Sequence, residues 1–356
     1  MIFTSSEIAA FLSCRRKWNL TSHNRMGLSR KGRTAPALNI GRLVHRGLEE
    51  ILDENELGAQ AAMRDMAHKD TKASEDAYED AVGTRWSDDE RLEIEQEINL
   101  AVGMVDHHRS FYGSFQIDPL RAKVTETSFK VPIVGTEHHL AGTFDALATH
   151  CETGDIWIVD HKTYTSKPHI DLLEMSWQFR GYIDAARQLF PKERIGGVLY
   201  NGLKKKLPQH PKLLTTGKNK GRLSTAKTTL ANCTYLSFCE AIDQNGQNAS
   251  HYTSELLFLL NRKNPFFKRH WIQTSVQRQN AFTDDLVQVA HAMAACQYPY
   301  PTFGWLTCNG CRVKPLCDAT ENLEALPMSA YHRETYATTA ALVLEPSFVS
   351  NLDDLA

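Results

Sequence analysis

The stretch Asp155-Ile156-Trp157-Ile158-Val159-Asp160-His161-Lys162 decides the fold of this chain. Its β-branched and aromatic residues predict a strand from Ile156 to Lys162. Because side chains alternate along a strand, we expect Asp160 and Lys162 on one face and His161 on the other. A carboxylate beside an amine suits a metal ion and the activation of water, which favours metal-assisted hydrolysis of a phosphodiester. Taken alone, the pattern also fits a charged pair at the end of an edge strand.

A second carboxylate lies one predicted strand earlier. The apolar run from His138 to Thr149 predicts a strand, and the sequence Gly142-Thr143-Phe144-Asp145 places Asp145 within it. Two acids near one lysine suit a divalent cation, although Asp145 alone also fits the cap of a turn. Glu126 lies on the preceding predicted strand and is a candidate for a second metal, but the sequence does not fix the face on which it lies.

The order of predicted elements is helix, three strands, helix, strand, which indicates an α/β fold. Thr4-Ser5-Ser6-Glu7 predicts a capping box at the start of a helix that runs to about Trp18. The other elements predicted from apolar spacing are a helix over Ile40–Leu52, strands over Lys123–Ile133, His138–Thr149 and Ile156–Lys162, a helix over Asp171–Leu189, a strand over Ile195–Leu203, and helices over Ser254–Leu260 and Phe282–Cys296.

Composition and charge narrow the class of protein. The chain has 356 residues and a formal charge of -2, so it has no global basic field, and any surface for nucleic acid must be local. No apolar run approaches the roughly 20 residues that a membrane helix needs, and the first residues lack the pattern of a secretory signal. We therefore expect a cytoplasmic protein without membrane contact.

Two segments stand apart in charge. Residues 53–112 are rich in Asp and Glu with helical periodicity, which indicates a solvated helical layer rather than a catalytic acid cluster. Residues 201–230 contain eight Lys and Arg residues, including Lys204, Lys205 and Lys206, and no acidic residue. Glycine and proline mark this segment as a loop or arm suited to phosphate backbones, and the alternative is a solvated lysine-rich loop.

The cysteines fall into two groups. Cys308, Cys311 and Cys317 have the spacing C-x2-C-x5-C, and the distant Cys14 is the natural fourth ligand for a zinc ion or an iron–sulfur cluster. A tight triplet with a remote fourth cysteine favours the cluster, whereas ordinary buried thiols are the remaining alternative. For Cys151, Cys233, Cys239 and Cys296 we expect simple burial.

Taken together, these motifs resemble the RecB-like nucleases of the PD-(D/E)XK superfamily. The resemblance rests on Gly41-Arg42-Leu43-Val44-His45, Asp145, Asp160-His161-Lys162-Thr163 and Gln178-Phe179-Arg180-Gly181-Tyr182, which occur in the order typical of that family. The four cysteines resemble the iron–sulfur staple of the branch that includes the CRISPR adaptation exonuclease and AddB, and the lysine-rich arm is similar to that of phage-encoded members. The resemblance implies a central mixed sheet flanked by helices in the order αβββαβ, a helical N-terminal layer and a C-terminal cysteine-ligated segment.

The resemblance also implies a role for each matched position. His45, Asp145, Asp160 and the carbonyl of His161 would bind Mg²⁺ or Mn²⁺, and Lys162 would act with Asp145 and Asp160 in catalysis. The other implied contacts are a 4Fe-4S cluster on Cys14, Cys308, Cys311 and Cys317, and DNA on Gln178, Tyr182, Lys204, Lys205 and Lys206. Residues 1–320 would form a single iron–sulfur nuclease domain, with residues 321–356 as a tail.

The function expected from these features is a metal-dependent DNA exonuclease of recombination, repair or phage genome processing. It would act on single-stranded or end-bearing duplex DNA, in the host cytoplasm if phage-encoded. The chain contains no G-x-x-x-x-G-K-[ST] phosphate loop, so a helicase or recombination partner would have to supply any ATP-driven movement. The alternatives are an endonuclease, or a DNA-binding or assembly subunit with the same fold and a structural zinc ion.

Overall fold

A computed structural model describes residues 1–30, 36–53, 55, 57–112, 116–117, 119–166, 169–322, 325–333 and 343–345. Its strands are β1 (Ile2–Thr4), β2 (Leu28–Arg30), β3 (Gln116–Ile117), β4 (Leu120–Pro132), β5 (His139–His150), β6 (Ile156–Tyr164), β7 (Ile195–Lys204), β8 (Phe267–Ile272), β9 (Tyr331–Arg333) and β10 (Val343–Leu344). Its helices are α1 (Ser5–Ser13), α2 (Arg15–Thr21), α3 (Pro36–Leu52), α4 (Ala59–Val82), α5 (Asp88–Tyr112), α6 (Ile170–Leu173), α7 (Trp177–Leu189), α8 (Lys227–Ala231), α9 (Tyr235–Gln244), α10 (Thr253–Asn261), α11 (Val276–Ala294), α12 (Trp305–Cys308) and α13 (Lys314–Glu321).

One mixed sheet organises the molecule, with strand order β10-β4-β5-β6-β7-β8, β1 beside β5 and β3 beside β4. Strands β4, β5 and β6 are antiparallel neighbours, whereas β6 and β7 are parallel. A parallel pair needs a crossover, and α7 lies in the connection between β6 and β7. The sequence α3, β4, β5, β6, α7, β7 confirms the predicted order of helix, three strands, helix and strand.

Both faces of the sheet are covered by helices because its strands are apolar on both sides. On one face, residues such as Ile158 and Tyr200 pack with Phe11 of α1, Ile183 of α7 and Leu286 of α11. The other helical layer consists of α3, α4 and α5, which pack together around a second buried cluster, and α3 also contacts β4, β5 and β6. This arrangement places α3 and α7 where they can both deliver side chains to the end of β6.

The capping box at the start of the chain is confirmed, but the first helix is shorter than predicted. Thr4 accepts a hydrogen bond from the Glu7 backbone, and the Glu7 side chain accepts one from the Thr4 backbone. The helix then ends at Ser13, because Cys14 adopts an extended backbone before α2 begins at Arg15. The predicted helix over Asp171–Leu189 is likewise divided into α6 and α7, with Ser176 extended between them.

The acidic region is helical, as predicted, but α5 is not merely a solvated layer. Its buried residues include Ile98, Val102 and Val105, which pack in the same cluster as Leu43 and Leu48 of α3. The acidic side chains occupy its outer positions because this apolar stripe faces inward. The region is therefore part of the wall behind α3.

Residues 201–204 of the predicted basic arm belong to β7, whereas the part that follows β7 has little regular structure, as expected. Its only described strand-like contact is an isolated bridge between Leu213 and Leu223, and α8 follows. Leu223 joins a small apolar cluster with α9 and α10. Strand β8 and helix α9 were not anticipated from the sequence.

The last part of the chain returns to the body of the protein. β9 pairs with β2, and β10 pairs with β4, so described parts of the predicted tail are ordered against other strands. Of the predicted tail, residues 321–356, the structure describes 321–322, 325–333 and 343–345. The other residues of that tail lie outside the described part of the chain. Among the described residues, no helix is long and apolar enough to cross a membrane.

Candidate active site and cysteine cavity

Three side chains from three elements meet at one point. His45 of α3, Glu126 of β4 and Asp145 of β5 each offer a ligand atom, and these atoms lie within 4.8 Å of one another. His45 Nδ1 is 3.4 Å from Asp145 Oδ2. Imidazole nitrogen and carboxylate oxygen together form a donor set that suits Mn²⁺ and also accepts Mg²⁺. The residues present therefore fit a divalent cation.

Glu126 is brought into this group by strand register. Thr125 pairs with Ala146 and Thr127 with Phe144, which leaves Glu126 opposite Asp145. Glu126 has a positive φ of 39°, the only non-glycine residue with positive φ in the described chain. Such a conformation is costly and uncommon for a residue with a side chain, and it is concentrated at functional sites.

Asp160 and Lys162 form a pair on β6, as predicted. Lys162 Nζ lies 2.7 Å from Asp160 Oδ1, and Asp160 is fully buried. The second oxygen of Asp160, Oδ2, has no hydrogen-bond partner in the described part of the chain. Buried polar atoms are normally satisfied, so this free oxygen is a suitable position for a cation. Asp160 is outside the group of three, yet its charge acts on the pKa of His45, and the charge of Asp145 acts on the pKa of Asp160.

His161 points to the opposite face of β6. Its backbone N–H donates to Asp145 Oδ2 at 2.6 Å, which links β6 to β5 at the site. Its ring nitrogen Nδ1 accepts from the side-chain amide of Asn201 at 2.9 Å, and the Asn201 oxygen accepts from His108 Nε2 at 3.0 Å. Burial lowers the pKa of His161 to about 3, so its ring is neutral. A buried chain of hydrogen bonds thus runs from α5 through β7 to the backbone beside Asp145.

The carboxyl groups of the site have widely separated pKa values. Burial, and then the charge of Asp145, raise the pKa of Glu126 to about 7. Burial also raises the pKa of Asp160 to about 6, against the lowering effect of Lys162. Burial acts in the same direction on Asp145, but the charge and hydrogen bond of His45, together with other nearby charges, lower the pKa to about 2. Raised pKa values at Glu126 and Asp160, beside a lowered one at Asp145, are what a cluster of acids shows when a bound cation would stabilise its charged form.

A cleft of about 910 Å³ opens onto these residues. His45, Glu126 and Lys162 line it, as does Lys205, the central member of the predicted lysine triplet. Burial lowers the pKa of Lys205 below its ordinary value. Within the same triplet, Lys206 donates to Asn232 at 2.6 Å.

Gln178 and Tyr182 of α7 form a hydrogen-bonded pair, with 2.8 Å between Gln178 Nε2 and Tyr182 Oη. The Tyr182 ring is only 6% exposed and packs against Phe129 and Phe144. Burial and the charges of Asp160 and Asp145 raise its pKa well above the ordinary value. Because its ring is buried, Tyr182 holds the side chain of Gln178 through this hydrogen bond.

All four cysteines predicted to bind one metal ion or cluster line one cavity of about 430 Å³. Cys14 enters it from the break between α1 and α2, and Cys308, Cys311 and Cys317 come from α12, α13 and the turn between them. The Thr302 N–H lies 3.4 Å from Cys14 Sγ, and an Arg16 nitrogen lies 3.8 Å from Cys317 Sγ. Among the described residues, no three sulfurs lie within 4.8 Å of one another.

A mixed sheet flanked by helices, with a group of side chains that could hold a metal ion, fits a metal-dependent hydrolase. Residues 2–318 match the PD-(D/E)XK nuclease superfamily, and the chain belongs to that superfamily. Membership implies a metal-dependent nuclease, which the group of His45, Glu126 and Asp145 fits.

No curated protein matches the chain. A solved structure described as "Crystal structure of SSO0001" is similar over 65% of this chain and 76% of that chain, with 12% identity and a TM-score of 0.29.

Proposed function

We propose that this protein is a metal-dependent DNA exonuclease that uses Mg²⁺ or Mn²⁺. The observation that supports this most strongly is the convergence of His45, Glu126 and Asp145 near the ion pair of Asp160 and Lys162. Of these residues, His45, Glu126 and Lys162 line one cleft. This arrangement supplies metal ligands, an amine and space for a nucleic-acid strand. The match to the superfamily spans all of these residues.

His45, Asp145, Asp160 and the His161 carbonyl would hold the ion, and Glu126 is a further ligand or holds a second one. When bound, the ion lowers the pKa of a water molecule and polarises the scissile phosphate. Lys162, whose Nζ is also 3.5 Å from the His161 carbonyl, orients the attacking water and stabilises charge on the phosphoryl oxygens. The water loses a proton as its oxygen bonds to phosphorus and the bond from phosphorus to the 3′ oxygen breaks. The 3′ oxygen takes up a proton, so the products are a 3′-hydroxyl and a 5′-phosphate.

The protein's contacts with DNA are proposed at two places. Lys205 lines the cleft, and together with its sequence neighbours Lys204 and Lys206 it would contact phosphates. Gln178 would contact the strand near the cut, positioned by Tyr182. We retain residues 1–320 as one nuclease domain, with an acidic helical insertion at 53–112, a basic arm at 201–230 and a tail at 321–356.

We propose further that Cys14, Cys308, Cys311 and Cys317 bind a 4Fe-4S cluster. Their convergence on one cavity supports a shared bound group, and a tight triplet with one remote cysteine favours a cluster over a single zinc ion. The bound group would join α2 near the start of the chain to α13 near its end. The roles in recombination, repair or phage genome processing, with a helicase or recombination partner, belong to the same proposal.

Degradation of labelled DNA tests the enzymatic proposal. Linear single-stranded and duplex DNA, labelled at either end, are incubated with the purified protein and with Mg²⁺, Mn²⁺ or EDTA. An exonuclease releases mononucleotides or short fragments from an end and leaves covalently closed circles intact. Cleavage of circles would instead show an endonuclease. Metal-independent degradation, or binding without any cleavage, would refute the proposal.

A further inference from the structure

The described residues with the most exposed aromatic rings all lie in one short segment. Tyr298, Tyr300, Phe303 and Trp305 are 83%, 55%, 66% and 76% exposed, and the next most exposed aromatic residue, Phe258, is at 52%. We refer to residues 298–305 as the aromatic strip. Isolated exposed rings are ordinary, but four within eight residues mark a surface that contacts another molecule.

The backbone of the aromatic strip is held in place. Pro299 and Pro301 restrict it, and the Tyr300 carbonyl accepts a hydrogen bond from the Arg16 N–H at 3.1 Å. The Thr302 N–H lies 3.4 Å from Cys14 Sγ. The rings are therefore presented to solvent by a segment tied to α2, and a partner pays little ordering entropy on binding them.

Cations lie beside these rings. The Arg15 guanidinium is 4.8 Å from the centre of the Tyr300 ring. Lys17 follows on α2 and lines the adjacent cysteine cavity. Neither Arg15 nor Lys17 has an ion-pair partner within the described part of the chain, whereas Arg16 between them pairs with Glu321. The surface thus combines aromatic faces with positive charge that no carboxylate neutralises.

We propose that the aromatic strip, with Arg15 and Lys17, is a binding surface for single-stranded DNA. Unpaired bases stack on exposed rings while cations contact the phosphates, and this combination is typical of single-strand binding surfaces. A purely apolar protein partner would gain nothing from the unneutralised charge, and duplex DNA has no free base faces to offer. The proposal rests on the proposed function for the choice of DNA, and it names the unpaired strand as the substrate class.

Binding without cleavage tests this surface. Fluorescence anisotropy of a labelled oligo(dT) of about 20 nucleotides, and of a duplex of equal length, is measured in EDTA with the full chain. Replacing Tyr298 is the cleanest change, since this residue does not line the cysteine cavity. Tyr298→Ala should weaken binding of oligo(dT) about 5- to 100-fold, with less than a twofold effect on the duplex. Tyr298→Phe keeps the ring and should bind like wild type, as should the exposed control Phe258→Ala.

Tryptophan fluorescence gives an independent readout. Oligo(dT) should quench the emission of wild type, and Trp305→Phe should remove most of that quenching while keeping a ring at the position. Unchanged affinity in Tyr298→Ala, an equal loss for the duplex, or an equal loss in Tyr298→Phe would overturn the proposal. Wild type that binds oligo(dT) but never degrades it with Mg²⁺ or Mn²⁺ would refute the nuclease and support the aromatic strip, so the two failures are distinguishable.

Discussion

The side-chain amide of Asn201 donates a hydrogen bond to Nδ1 of His161, with 2.9 Å between the two nitrogens. Asn201 and His161 are 1% and 2% exposed, so the bond is made away from water. It fixes the tautomer of His161 and restrains the residue whose backbone N–H holds Asp145. A residue on β7 thus positions the metal site on β5 and β6.

Loss of this bond should weaken metal use more than it weakens the fold. Asn201→Leu leaves the facing nitrogens of His161 and His108 without partners, at about 1–3 kcal/mol of unfolding free energy for each buried group. We expect the Mn²⁺ concentration for half-maximal cleavage to rise about 10- to 100-fold, as for other residues that support metal ligands. Gln279→Leu is the matched control, because Gln279 is a buried amide bonded to the Arg180 carbonyl. An equal metal requirement in the two variants would show that Asn201 is only structural.

Glu126 should make the metal-free protein less stable as pH rises. Its pKa is about 7 in the folded protein and 4.5 ordinarily, so between these values the folded state binds more protons than the unfolded state. Stability from this group is therefore lost as pH rises from about 4.5 to about 7. Asp160, with a pKa raised to about 6, acts in the same direction.

Thermal unfolding in EDTA at pH 5 and pH 8 measures this effect. Glu126→Gln should have a higher melting temperature than wild type at pH 8 and a smaller difference at pH 5. Added Mn²⁺ should stabilise wild type more than Glu126→Gln. An ion that binds the folded state stabilises it, and the variant would bind the ion more weakly. The exposed Glu152→Gln is the control. A Glu126→Gln protein that is less stable at pH 8 in EDTA would contradict the proposed repulsion.

We expect the four cysteines of the cavity to bind iron. Protein purified without oxygen should be brown, absorb at about 400 nm and contain about four iron atoms per chain. Cys308→Ser should lose most of the iron and the absorption, whereas Cys239→Ser, which lies outside the cavity, should keep both. Colourless wild type carrying one zinc ion would contradict the cluster.

Lys205 should contribute to the salt dependence of DNA binding. If it contacts a phosphate from the cleft wall, Lys205→Ala reduces the slope of log affinity against log salt by about 0.7 to 0.9. Lys218→Ala, an exposed change on the basic arm, is the comparison. An unaltered slope in Lys205→Ala would remove this lysine from the DNA surface.

The strand positions and the pairing of Asp160 with Lys162 could be predicted because both depend on the period of two along one strand. The face of Glu126 could not, since a register shift between Ala122 and Val124 changes the alternation before it. Its distance from His45 also depends on how α3 packs against the sheet, which no local pattern specifies.

The support behind His161 was missed for a similar reason. His108 and Asn201 are 93 residues apart and meet only because α5 packs against β7. The acidic composition of residues 53–112 predicts a solvated surface, whereas His108 lies on the buried stripe of α5. The burial of Tyr182 also follows from packing, since its spacing from Gln178 is compatible with either orientation.

The rate of cleavage by Asp160→Asn tests the central claim most directly. Under single-turnover conditions with Mn²⁺ and linear DNA, the loss of this buried carboxylate should lower the rate by about 10³-fold or more. Asp155→Asn, at the start of the same stretch, removes a carboxylate paired with Arg194 and should cleave at nearly the wild-type rate. Cleavage by Asp160→Asn at the wild-type rate would contradict the placement of the active site at the end of β6.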